Sequence, residues 1–459
     1  MQAMSSVFES IQELEQKRDL NALKVLNKGK SFDIYPWVKP YIFSKLQQGN
    51  KPKTNSASKV FQLKRLFSGS FLLFKKPSSL IFSNSLERRA LNDGVYDKLF
   101  HAIEESNIIG DKLLFETKIP ANYFPRSSYK KKQVVSRSIF YLLEMIYATL
   151  FLRSLEIKNA SLLGEFASES DISYAVRKNL AQYHITRLYL RYNKKVKNVF
   201  LSGAYLNFGQ VLAFKESGAQ VIELQHGVIN KEHYGYSYEY IPSKNQFPDF
   251  ILTFGQRDES FINQGGLSKF VRAKAVGSFI LDYYLKRSAK EKLIIEVRNA
   301  AISLQDCATG VSAMDEFIDL AKRNPNIQFS LKRRRLPLSF YQEKFEFPEN
   351  MSFEEELNVY ELIVNSDVHI TAYSSCALEA PTLGTPNILI NVDNKAKEYY
   401  QEKLRASNYN WYCANGEQAS SSIQSIQQVL IEQVMNQNEE NIAPNYQSNL
   451  NSFLKYLKE

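Results

Sequence analysis

Three turns in this chain carry the residue types that do chemistry. The first is Glu223-Leu-Gln-His-Gly-Val228, where an apolar run ends on His226. An imidazole there can take or give a proton near neutral pH, and Gly227 permits a sharp turn. A histidine that merely caps the strand is the competing reading. The second is Thr371-Ala-Tyr-Ser-Ser-Cys-Ala-Leu-Glu-Ala380, followed by Gly384-Thr-Pro386. A strand, two serines and a helix in that order aim N–H groups and hydroxyls beyond the strand, which suits phosphate. Glu379, one turn after Ser375, is placed to hold ribose hydroxyls. An ordinary serine N-cap is the alternative. The third is Leu331-Lys-Arg-Arg-Arg-Leu336, whose cations after a strand attract phosphate or carboxylate. A solvated basic loop would look the same.

Other signatures are missing. The chain has no GxGxxG, Walker, GxSxG or HExxH pattern. His369 lies inside an apolar run and reads as a core histidine. Cys307, Cys376 and Cys413 are too far apart for a zinc spacing or a disulfide framework, which fits a reducing compartment.

The elements that must position these turns alternate. Apolar runs at Ser79–Ser83, Lys112–Glu116, Val196–Ser202, Gln220–Gln225, Pro248–Phe254 and Ala273–Gly277 read as strands. Between them, helical patterns lie at Tyr96–Ser106, Val134–Leu155, Ile172–Asn193 and Phe208–Glu216. A charged helical connector over Lys286–Asn299 precedes a second series. Its strands are Ala300–Leu304, Ile327–Leu331, Asp367–Thr371 and Asn387–Ile390. Its helices are Met314–Lys322, Glu354–Asn365 and Cys376–Leu383, with a helical tail at Ser420–Val434 and Tyr446–Leu457. Strand–helix alternation implies parallel sheets, hence an α/β chain of two such domains. The expected segments are a helical and basic extension over 1–78, a first domain over 79–285, a second over 286–440, and a C-terminal helix over 441–459 returning to the first. Ser138–Arg153 is too short for a bilayer span and reads as a buried core helix.

Charge is uneven. The 459 residues hold 58 Lys+Arg against 48 Asp+Glu, a net of +10. Residues 1–80 hold 14 of the cations and 5 of the acids, so nearly all the excess sits there. No acid occurs from Ile34 to Leu86, and Phe and Leu are interleaved with the cations. That pattern suits an anionic membrane surface. A packed region of its own domain and, less well, nucleic acid are the alternatives. Pro36, Pro40, Pro52 and Pro77 discourage long helices in it. The N-terminus reads as a helix with a possible Ser6/Glu9 capping box, not as an apolar leader. The expected location is cytoplasmic and peripheral on the inner membrane.

Taken together the turns resemble bacterial surface-polysaccharide glycosyltransferases of the GT-B type. The resemblance is to the Kdo- and sialic-acid-type capsule transferases and, more distantly, to the glycerophosphotransferases of teichoic acid synthesis. It spans roughly residues 79–415 and rests on Gln225-His-Gly227, Pro248-Asp-Phe-Ile-Leu-Thr-Phe-Gly255, Val276-Gly-Ser278 and Asp367–Ala380 with Leu383-Gly-Thr-Pro386. It implies a GT-B fold, two Rossmann-like domains facing a central cleft, with the donor nucleotide on the second.

On that resemblance the Ser374-Ser375 turn contacts the donor phosphate, with Thr371, Tyr373 and Glu379 beside it. Gln305, Lys332, Arg333 and Arg334 complete the donor side, together with Gly277 and Ser278. Gln225, Gly227 and Arg88 fall on the acceptor side. His226 is the expected base, and Glu87 or Asp93 the next candidate. Many relatives carry a His-Pro pair where this chain has Lys332-Arg-Arg-Arg-Leu-Pro337, so the general acid and the inverting or retaining outcome stay open. No metal and no cofactor is implied, because helix N-termini and cations can stabilise the leaving phosphate and no DxD pair is present.

The implied activity is sugar transfer from a nucleotide sugar, a CMP-activated sialic, pseudaminic or Kdo-type acid, to a capsule, lipopolysaccharide or lipid-linked glycan. A CDP-glycerol-type transferase, a nucleotide-sugar epimerase and a non-catalytic membrane scaffold are the alternatives. Nucleic acid is not an expected partner.

Overall fold

The computed structural model describes residues 4–48, 68–91, 94–117, 133–239, 244–287, 293–305, 311–334, 336–407, 409–426 and 428–459. Asp93, Arg335 and the basic residues within 49–67 lie outside these. The chain forms two compact units. The first takes residues 1–253, 258–275 and 447–459, the second 254–257 and 276–446.

The first unit begins with helices α1 (Met4–Lys17) and α2 (Tyr35–Gln48). These two helices pack into that unit: Val7, Ile11, Leu14, Trp37, Val38 and Ile42 share one core with Ile172, Val176 and Leu180. Helix α1 starts at Met4, so Ser6 lies inside it and does not cap it. Helix α2 runs through Pro36 and Pro40 against expectation. Pro36 sits in the first turn, where no N–H is needed, while Pro40 costs about 3 kcal/mol. Burial of Tyr35, Trp37, Val38, Ile42 and Phe43, at about 1.5–3 kcal/mol each, offsets that.

The main sheet of this unit has seven strands: β1 (Ser79–Asn84), β2 (Lys112–Thr117), β3 (Val134–Ser136), β4 (Asn198–Leu201), β5 (Gln220–Leu224), β6 (Phe250–Thr253) and β7 (Arg272–Ala275). Their order in space is β7-β6-β5-β4-β1-β2-β3, and every neighbouring pair is parallel. This is the doubly wound Rossmann order 3-2-1-4-5-6 with a seventh strand added. Parallel strands are covered on both faces, which is why they read as unbroken apolar runs.

Helices α3 (Ser138–Phe151) and α4 (Glu169–Tyr192) lie between β3 and β4 in the chain. The expected helix over Val134–Leu155 is split, because Val134–Ser136 pairs with the edge of β2. The expected buried core helix is also corrected: α3 buries Phe140 and Glu144 and exposes most of its apolar side chains. Tyr96–Ser106 is mostly not helical. A hairpin, Arg88–Leu91 with Gly94–Asp97, precedes a short helix at His101–Glu105. The Asp97 carboxylate accepts from the Leu99 and Phe100 N–H groups at 2.8 and 2.9 Å, which delays the helix start.

The second unit repeats the plan with β8 (Asn299–Ser303), β9 (Gln328–Lys332), β10 (Met351–Phe353), β11 (Val368–Thr371), β12 (Asn387–Ile390) and β13 (Asn410–Cys413). Their order is β10-β9-β8-β11-β12-β13, again all parallel and again 3-2-1-4-5-6. Helix α5 (Cys376–Glu379) is one turn, followed by a 3-10 turn at Pro381–Leu383 instead of a continuous helix. Pro381 brings no N–H to extend it. Glu354–Asn365 shrinks to a helix at Val359–Val364, capped by Asn358 with Glu361. The Glu354 carboxylate holds the N–H groups of Glu356 and Leu357 in a turn at 2.7 and 2.9 Å. The expected helical connector contains a short strand, Leu293–Ile294, paired with Val429–Leu430, which also breaks the expected helix Ser420–Val434. Helix α6 (Tyr446–Lys458) sets Phe453 and Tyr456 against Phe250 of the first unit's sheet, within that unit.

Candidate functional site

In doubly wound sheets ligands sit beyond the carboxyl ends of the strands, where the strand order reverses. The reversal falls between β1 and β4 in the first unit, and between β8 and β11 in the second. Each edge carries one of the chemistry-bearing turns.

In the first unit, Gly203-Ala-Tyr205 follows β4 and Gln225-His-Gly227 follows β5. Gly203 has φ 64°, a left-handed backbone that favours glycine, and a Cβ there would make only ordinary contact with His226 Cε1 at 3.7 Å. Gly227 has no such need: a Cβ on it would meet nothing within 4 Å. The turn is held instead by Gln225, whose buried Nε2 donates to the Gly227 carbonyl at 2.8 Å and to Asp258 at 2.7 Å. Gln225 is thus a positioning residue, not an acceptor contact.

His226 Nε2 lies 3.4 Å from the Tyr205 hydroxyl, a long contact, and its buried Nδ1 has no hydrogen-bond partner among the described residues. Burial pushes the imidazole below its ordinary pKa, aided by Lys98 and opposed by the Glu87 carboxylate. A neutral imidazole with an uncommitted nitrogen is the protonation state a general base needs. Glu87 therefore does sit near His226, but it is ion-paired to Lys98 at 3.0 Å.

Arg88 is corrected from an acceptor contact to a structural residue. Its guanidinium is fully buried and pairs with Glu104 at 2.8 Å, Glu116 at 2.9 Å and Asp97 at 3.7 Å.

Sequence reasoning missed Glu223 and the aromatic run that follows His226. Glu223 Oε1 accepts from Gly203 N at 3.0 Å and from the Tyr236 hydroxyl at 2.8 Å, tying the two turns together. Tyr205 packs edge-on against His233 at 5.1 Å and Tyr236 at 5.5 Å. The signal was present as His233-Tyr-Gly-Tyr-Ser-Tyr238, but an aromatic cluster of that kind usually means core.

Burial pushes the Glu223 carboxyl up to about 7. The folded chain thus keeps a proton that the unfolded chain releases near 4.5. The stability is fully present below 4.5 and is lost as pH rises through 7. We expect Glu223→Gln, which keeps the hydrogen-bonding shape, to remove on the order of 3 kcal/mol of that pH dependence. Urea unfolding of both proteins at pH 5 and pH 8 checks this. Parallel loss in the two would show that Glu223 does not titrate there.

In the second unit Gln305 follows β8, Arg333 and Arg334 follow β9, and Tyr373-Ser-Ser375 follows β11. The four-cation cluster thins on inspection. Lys332 Nζ donates to the Glu354 carbonyl at 2.8 Å, and burial lowers its pKa. Arg333 makes a two-pronged pair with Glu355 at 2.8 and 2.7 Å. Arg334 is exposed and donates to Gln305 Oε1 at 3.2 Å, so these two residues meet at the ends of the neighbouring strands β9 and β8, on one side of the switch point.

Ser374 is buried and its Oγ accepts from Cys376 N at 3.3 Å, while Ser375 is exposed. Neither serine N–H finds an acceptor among the described residues. With α5 only one turn long, these local donors, more than a helix dipole, make the edge attractive to an anion. Glu379 accepts from the Tyr360 hydroxyl at 3.1 Å, and Tyr373 packs on Tyr399 at 4.5 Å.

Three donor-side expectations are corrected to structural roles. Thr371 is buried, its hydroxyl donating to the Ser303 carbonyl at 2.8 Å. Gly277, at φ 95°, lies where a Cβ would strike the Ala443 carbonyl oxygen at 2.3 Å, and Ser278 beside it is buried. His369 is the satisfied core histidine expected: Nδ1 donates to Asn387 Oδ1 and Nε2 accepts from Ser303 Oγ, each at 2.8 Å.

No protein-family model matches the chain, and no curated protein matches it. Solved structures do. The glycotransferase of kitacinnamycin is 9% identical, with 84% of this chain and 100% of that chain covered and a TM-score of 0.51. CalG4, the calicheamicin glycosyltransferase, is 12% identical over 83% of this chain and 98% of that one, with a TM-score of 0.49. A UDP-GlcNAc 2-epimerase from Neisseria meningitidis bound to UDP-GlcNAc is 13% identical over 83% of this chain and 99% of that one, with a TM-score of 0.45. Likeness at such identities speaks to fold, and of these three the first is similar enough to carry it. The chain has a GT-B glycosyltransferase-like fold. Its two Rossmann-like units are the two doubly wound sheets described above.

Proposed function

We propose that this protein is a glycosyltransferase that draws a sugar from a nucleotide-sugar donor held at the switch point of its second sheet. The observation that carries the reading is the edge formed by Arg334, Gln305 and the N–H groups of Ser374 and Ser375, which find no acceptor among the described residues. Phosphate is the chemistry those donors suit, and Glu379 is one turn away for a ribose diol. In the reaction the acceptor hydroxyl oxygen bonds to the anomeric carbon while the bond from that carbon to the donor phosphate oxygen breaks. The hydroxyl proton passes to a general base, and the phosphate leaves with its added charge facing Arg334.

The donor we favour is a CMP-activated ulosonic or nonulosonic acid of the sialic, pseudaminic or Kdo type, and the acceptor a bacterial surface glycan. Such a donor brings a carboxylate besides its phosphate, and an exposed guanidinium beside free N–H groups serves both. The test is product formation from CMP-, CDP- and UDP-activated donors, each with and without glycan acceptors. Acceptor-dependent release of CMP supports the reading. Conversion of a UDP-sugar without any acceptor would make the chain an epimerase instead.

A narrower prediction concerns the serine turn. Ser375→Ala should weaken CMP binding by about 1.5–3 kcal/mol, the worth of a hydrogen bond to a charged group. Unchanged affinity by calorimetry would take the Ser375 hydroxyl out of phosphate binding.

A further inference from the structure

One helix of the first unit is turned inside out. Helix α3 is apolar on every side, yet the residues it buries are Phe140 and Glu144. Met145, Leu150 and Phe151 are 60%, 58% and 62% exposed, with Leu143 and Ile146 exposed beside them. Glu144 is only 7% exposed, and its Oε1 has no hydrogen-bond partner among the described residues. A helix that is apolar all round is ordinarily covered, by protein or by lipid.

The apolar face extends beyond α3. Tyr147 of α3 stacks on His184 of α4 at 5.0 Å, and one turn further along α4 Leu188 is exposed. Another turn on, exposed Tyr192 meets exposed Phe74 edge-on at 6.2 Å. Between α3 and α4 opens a cavity of about 620 Å3 whose lining includes Tyr141, Met145, Tyr174, Arg153 and Lys178.

Cations border this surface. Lys28 Nζ lies 5.3 Å from the centre of the Tyr147 ring, Lys76 Nζ 5.1 Å from that of Tyr192, and Arg153 follows the end of α3. Buried Glu144 is the sole acid from Thr117 to Leu155, and none occurs from Ile172 to Lys215. The field is strong enough to act on His184. Burial first, then Lys28, Arg187, Arg191 and Lys30, push its imidazole down to about 4.

We propose that this face of the first unit docks on an anionic lipid bilayer, with Leu150 and Phe151 among the acyl chains and the bordering cations at the headgroups. Apolar side chains on one surface ringed by lysine and arginine are the composition that lies in a bilayer interface. A second copy of the chain fits less well, because pairing two such faces brings like-charged borders together. The inference stands independently of the transfer reaction, and it adds α3 to the membrane contact expected of the basic N-terminal stretch, from which Lys28, Phe74 and Lys76 come.

The test is flotation of the full chain with phosphatidylcholine vesicles and with vesicles containing phosphatidylglycerol. We expect binding to the anionic vesicles that weakens as salt rises. We expect Leu150→Glu with Phe151→Glu to lower the bound fraction at least tenfold without changing the melting temperature, since both side chains are exposed. Ile295→Glu, an exposed apolar position in the second unit, should bind like the parent. Absence of binding to anionic vesicles, or equal binding by the double variant, overturns the proposal. So does a dimer of the parent chain that the double variant abolishes while vesicle binding is unaffected.

Discussion

His226→Ala should fold, bind nucleotide and lose sugar transfer by about 10²–10⁴-fold, the usual contribution of a positioned general base. The imidazole sits at the end of β5 over Gly203, with one nitrogen uncommitted. Its pKa is held below the ordinary value by burial. The parent enzyme should therefore gain activity as pH rises through a midpoint below 6.5, and the variant should lack that limb. The rates to compare are kcat/KM across pH for both proteins. Near-parental activity in the variant would make His226 structural and leave Glu87 as the carboxylate closest to its role.

Arg88→Met should destabilise the first unit by about 3–5 kcal/mol, because it strands the buried carboxylates that this guanidinium neutralises. Glu104, Glu116 and Asp97 converge on it from the helix at His101–Glu105, from β2 and from the hairpin strand Gly94–Asp97. Burial already pushes the Asp97 carboxyl up, and Arg88 pulls it back down. Without the cation the buried carboxyls should take up protons, so the deficit should shrink at acid pH. Urea unfolding at pH 5 and pH 8 measures both effects. A loss of less than about 1 kcal/mol at pH 8 would show that water or another cation replaces Arg88. The same network bears on the site, since Lys98 N donates to the Glu87 carbonyl at 2.9 Å and thereby fixes the loop beside His226.

The strands are legible in the sequence because burial on both faces turns them into unbroken apolar runs, as at β1, β5 and β12. Helix α3 is not, because an apolar run looks the same whether protein covers it or not. Glu144 argues against a membrane span in the sequence, yet in the fold it is the residue facing inward. Arg88 is misjudged for a related reason: its three carboxylate partners lie between 9 and 28 positions away, and nothing local announces them. The cluster at Lys332–Arg334 reads as one anion site, whereas Glu354 and Glu355, brought alongside by β10, occupy two of its members. Gly227 and Gly203 exchange roles for want of a backbone angle, which only the folded turn supplies.

The central claim is that a donor nucleotide binds at the switch point of the second sheet. Hydrogen exchange of the full chain with and without a CMP-sugar tests it most directly. The account predicts slowed exchange at Ala372–Cys376 and at the Arg333–Arg334 loop, and no slowing at these places in Ser375→Ala at the same ligand concentration. Ligand-dependent protection confined to other strands, with these two loops unchanged, would contradict it.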